Sequence, residues 1–85
     1  MCAKDLGSAL AAMIGGESAM DLYAMRRMAR ELSTPETETD CRELIEAVEL
    51  LDLAVLHGLP ETLVAKLRAD AATCLERFAP KDLLS

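Results

Sequence analysis

An 85-residue chain that is 52% apolar and carries a net charge of −6 is one small domain, with no room for two cores. Fifteen acids against nine bases argue against nucleic acid and against anionic membrane surfaces, because both require clustered Lys and Arg. No apolar run approaches the ~20 residues that span a bilayer, and the N-terminus shows no apolar core with a cleavage site, so the expected location is cytoplasmic.

The apolar residues are mainly Ala, Leu, Met and Val, with one Tyr, one Phe and no Trp. Ala, Leu, Met, Glu and Arg favour helix, and β-branched residues are few, so the fold class expected is all-α over a single domain, residues 1–85. The first helix is expected over residues 3–14, where Leu6, Leu10, Met13 and Ile14 form one stripe. Gly15-Gly16 ends it, because glycine takes the left-handed cap without steric cost. The second helix is expected over residues 17–32, with Ser18 and Asp21 spaced as a capping box. Leu22, Met25, Met28, Ala29 and Leu32 make its apolar face, and Tyr23, Arg26, Arg27 and Arg30 lie off its centre.

The third helix dominates the charge. Residues 34–59 hold seven acids and one base, Arg42, and so carry the whole net charge. Two starts are open: Thr34 as cap with Pro35 in the first turn, or Asp40 as cap with Glu43 closing a box. Either way the helix runs to about His57 and stops at Gly58. Its main face is Cys41, Leu44, Ile45, Val48, Leu51 and Val55. Leu50, Leu53 and His57 fall on the opposite side, within about 60° of one another, among the acids.

The fourth helix is expected from Pro60 to about Phe78, stopping before Pro80, with a stripe of Leu63, Val64, Leu67, Ala71, Cys74, Leu75 and Phe78. A short tail, residues 81–85, carries Leu83-Leu84, which either docks or frays. Short links favour antiparallel neighbours, so helices three and four are expected as a hairpin within a four-helix domain.

Candidate chemistry is sparse. His57 precedes a helix-ending glycine, where it suits the negative end of the helix dipole better than catalysis. Cys2, Cys41 and Cys74 are odd in number and form no C-x-x-C, which favours reduced thiols over a disulfide framework or zinc site. Cys41 and Cys74 come out about three residues apart in axial offset if the hairpin closes at residues 58–59, so they are either buried gap-fillers or a redox-sensitive pair. Arg26, Arg27 and Arg30 are the one basic cluster, suited to the end of their own helix, to the acids of helix three, or to an acidic partner. Met13, Met20, Met25 and Met28 fill a core or line an adaptable groove. The run LPETL at residues 59–63 lacks the glycine, apolar span and basic tail of a sortase signal.

Ala54, Gly58 and Val64, followed by Leu67, have the spacing of a small residue, a turn glycine and an aliphatic residue. This stretch of about 20 residues resembles a helix-turn-helix core. The resemblance implies sequence-specific DNA binding. Against it, the would-be recognition helix opens with Glu61 and offers only Lys66 and Arg68 as bases, behind a steeply acidic helix.

No cofactor, metal or catalytic constellation is expected, since the sole His and scattered acids match no known geometry. The expected function is a small acidic non-enzymatic regulatory or adaptor protein, of the antiactivator, secretion-chaperone or antitoxin kind. It would bind a protein partner through Leu50, Leu53, His57, Glu46, Glu49, Arg26 and Arg30, as a homodimer or hetero-complex. The DNA-binding regulator and an accessory subunit of a larger enzyme are the rival expectations.

Overall fold

Four helices form close to where the apolar periodicity places them: α1 (Ala3–Gly15), α2 (Leu22–Leu32), α3 (Glu38–Leu56) and α4 (Glu61–Phe78). The computed structural model of the protein describes residues 3–78, with side chains from Leu6 onward. Cys2, Pro80 and the expected tail with Leu83-Leu84 lie outside the described residues. Among the described residues there is no strand.

The helix ends are set by a few residues. At the end of α1 the Gly16 N–H donates to the Met13 carbonyl at 3.3 Å and the Glu17 N–H to the Ala12 carbonyl at 2.9 Å. The end of α3 repeats the pattern: Gly58 donates to Val55 at 3.2 Å and Leu59 to Ala54 at 3.0 Å. Both are Schellman closures, which need a left-handed residue. Gly16 and Gly58 supply it, with φ of 85° and 64°. A Cβ at Gly58 would meet nothing within 4 Å, so only the backbone conformation resists a side chain there. Gly58→Ala is therefore expected to lower stability by about 1–2 kcal/mol, read as a shifted denaturation midpoint at unchanged slope.

One helix start differs from the sequence expectation, and a choice left open at another is decided. Helix two begins at Leu22, not at residue 17. The backbone N–H groups of Glu17 and Ser18 are still engaged with the Ala12 carbonyl in closing α1. Asp21 is thus itself the cap, its carboxylate accepting from the Ala24 N–H at 3.1 Å. Of the two starts open for the third helix, the Thr34–Pro35 site is used. A single 3-10 turn, Pro35–Thr37, leads into α3, with the Thr34 N–H donating to Thr37 Oγ1 at 2.9 Å. Asp40 lies inside α3 rather than capping it.

Each helix packs on its chain neighbour, and α4 closes the ring on α1. The α3–α4 pair is the most extensive contact and is antiparallel: the two helices turn at Gly58, and at the far end Arg77 reaches Glu43 at 3.8 Å. The largest fully buried side chains are Leu10, Met25, Leu44, Val48 and Leu51. Met13 and Met20 pack against this core, while Met25 and Met28 are part of it. These four methionines therefore contribute to the interior.

The layers are unequal in length. At ~1.5 Å per residue, the 19 residues of α3 run roughly 28 Å and the 11 of α2 roughly 16 Å. The C-terminal end of α1 meets α4 at Arg68, whose Nη1 donates to the Ile14 carbonyl at 2.9 Å. The last turns of α3 and the first turns of α4 project past that level. This explains two departures from the expected stripes. Val55 and Leu63 are on the apolar faces by spacing, yet both are exposed, because α1 and α2 stop short of covering them.

Candidate protein-binding surface

Seven large apolar side chains are exposed among the described residues, and six of them lie between Leu50 and Leu63. They are Leu50, Leu53, Val55, Leu56, Leu59 and Leu63; the seventh is Tyr23 on α2. Isolated exposed leucines are ordinary, whereas a cluster confined to one end of a domain is a candidate interaction surface. On the outer side of α3, Leu50 is 56% exposed, Leu53 49% and Leu56 73%.

The sequence-derived site falls into two parts. Leu50, Leu53 and the exposed His57 lie on the outward side of α3, as spacing indicated. His57 is the C-cap residue, its backbone N–H donating to the Leu53 carbonyl at 3.0 Å. Arg26, Arg30, Glu46 and Glu49 gather at the α2–α3 seam. Arg26 places both Nε and Nη2 on one carboxylate oxygen of Glu49, at 3.2 and 2.8 Å. This pair is more than one-third exposed, so it is worth at most about 1 kcal/mol and chiefly fixes α2 against α3. Arg30, Glu46 and Glu49 border an open groove of about 850 Å³, with Cys41 and Ile45 among its lining.

The sequence reading did not single out Leu56 and Leu59; it placed Tyr23 off the apolar face of its helix, where it is exposed. Leu56 was accessible to it: three residues after Leu53, it lies about 60° from it on the same side. Leu59 follows the helix-ending glycine, where helical spacing gives no direction.

The two described cysteines meet different neighbours. The Cys41 thiol is buried and donates to the Ala29 carbonyl on α2 at 3.5 Å. Cys74 is half-buried, with Arg77 Nη2 at 3.8 Å from its sulfur. Both thiols are free. In a Cys2→Ser background, Cys74 is expected to react with a thiol reagent well before Cys41; equal rates in the folded protein would contradict these environments.

Among the described residues, no three His, Cys, Asp or Glu side chains are grouped to hold a metal ion. Nor is any helix there long and apolar enough to cross a membrane. Comparison with protein-family models, curated proteins and solved structures gives no match.

Proposed function

We propose that this is a small non-enzymatic regulatory or adaptor protein whose working surface is the projecting end of the α3–α4 hairpin. The supporting observation is the confinement of six exposed large apolar side chains to residues 50–63. Chain folding alone does not call for this cluster, since α3 already buries Leu44, Val48 and Leu51 on its other side. A partner helix laid along Leu50, Leu53 and Leu56 would bury the surplus. The acids of α3 lie beside it and would steer approach of a basic rim, while the leucines hold the contact.

The geometry favours this over DNA binding. Helix α4 runs back along α3 rather than standing clear as a reading helix. Arg68, one of its few bases, is engaged with the Ile14 carbonyl.

The test compares wild type with Leu53→Asp as bait in material from the native source. Wild type should retain a specific protein that Leu53→Asp loses, while circular dichroism shows the variant as helical as wild type. Identical captured sets would overturn the assignment of the surface. Salt-sensitive retention of duplex DNA by both proteins would favour the DNA-binding alternative.

A further inference from the structure

We infer that the hairpin face pairs with the same face of a second copy, α3 against α3, antiparallel about a twofold axis at Leu53. This rests on the protein-binding reading and names the occupant of that surface.

The leucine spacing is self-matching. Leu50, Leu53 and Leu56 recur every three residues and all are exposed. An antiparallel twofold at Leu53 sets that side chain against its own copy. It also sets Leu50 against the partner's Leu56, and Leu56 against the partner's Leu50. One symmetry operation thus covers the whole stripe.

Charge selects the antiparallel sense. Six of the seven acids between residues 34 and 59 precede Leu50, and from Leu53 to Pro60 the only ionisable side chain is His57. Parallel pairing would stack the two acidic halves on each other. Antiparallel pairing lays each acidic half beside the other copy's nearly neutral hairpin end, so like charges separate.

The basic cluster completes the match. Arg26 is level with Glu49 on α3, so α2 flanks the acidic half and comes level with the partner's hairpin end. Arg27 and Arg30 make no ion pair among the described residues. In the pair they approach the partner's hairpin turn, with Glu61 and the carbonyl end of the partner's α3, where positive charge is favoured. Tyr23, 76% exposed, is brought toward the partner's Leu56. The two most exposed large apolar side chains among the described residues then shield each other.

Sedimentation of the purified protein across a concentration series is the first measurement. A mass twice that of the chain is expected, falling to one chain for Leu53→Asp. A single-chain mass at every concentration overturns the inference, as does a dimer that Leu53→Asp leaves intact. The second measurement is cross-linking in a variant whose three cysteines are replaced by alanine. With a mild oxidant, Leu53→Cys should form a disulfide-linked dimer and Glu36→Cys should not, since a disulfide requires Cβ atoms about 4 Å apart. The reverse pattern overturns the register. A monomeric wild type that still captures a protein lost by Leu53→Asp overturns the second copy while leaving the protein-binding reading standing.

Discussion

Leu51→Ala is expected to lower stability by about 2–5 kcal/mol, the range for removing a fully buried leucine side chain. Leu53→Ala, two residues along the same helix, is expected to change the stability of the monomer by no more than about 0.5 kcal/mol. Leu51 is fully enclosed and Leu53 is half exposed. In a domain this small, total stability is only about 5–15 kcal/mol, so the first variant loses a large share of it. Urea titrations followed by circular dichroism would compare midpoints at dilutions where association does not contribute, with the slope checked for constancy. Equal losses for the two variants would mean that the outward side of α3 is covered within the monomer. The protein-binding surface would then have no basis.

The contrast between these two leucines was already visible in the sequence. At 3.6 residues per turn, Leu44, Val48 and Leu51 align and Leu53 does not. The turn glycines were equally legible, because only a left-handed residue completes a Schellman closure and Gly16 and Gly58 stand at the two sites. What periodicity cannot give is the length of the neighbouring helices. Val55 and Leu63 have the right spacing for burial, but nothing in their own helices indicates that α1 and α2 end before reaching them. Helix starts were legible only in part. Ser18 and Asp21 fit a capping box, yet the N–H groups of Glu17 and Ser18 are used by the preceding helix, a competition that the local pattern does not reveal. Axial offset alone left Cys41 and Cys74 open either as neighbours or as separate gap-fillers. In the fold both thiols are free, and Cys41 donates to the Ala29 carbonyl on α2.

The net charge takes on a structural meaning once the helices are assembled. Two of the acids of α3 are paired across its flanks, Glu49 with Arg26 on α2 and Glu43 with Arg77 on α4. Both bridges are partly exposed and individually weak. They pin the acidic half of α3 between its neighbours and leave its projecting end with leucines and few charges. The acidic half of α3 is thus flanked by α2 and α4, while the exposed leucines gather towards its other end.

Arg68→Ala is expected to lower stability by about 1.5–3 kcal/mol, the range for a hydrogen bond to a charged group. By sequence this residue was one of two bases available to a would-be DNA-reading helix. In the fold its Nη1 donates to the Ile14 carbonyl at 2.9 Å, at the C-terminal end of α1, where four carbonyls lack intrahelical donors and positive charge is favoured. The guanidinium also lies over the turn glycine, only 3.2 Å from where a Cβ on Gly16 would stand. Helix α1 packs less extensively on α4 than α3 does, and this hydrogen bond adds a polar tie to the apolar contacts that close the ring. Arg68→Lys retains the charge without the planar fork and should recover only part of the loss. Hydrogen exchange gives the sharper readout: amides near the end of α1 should lose protection in Arg68→Ala before those in the middle of α3. Wild-type protection throughout α1, with an unchanged denaturation midpoint, would show that helix packing alone holds α1 in place.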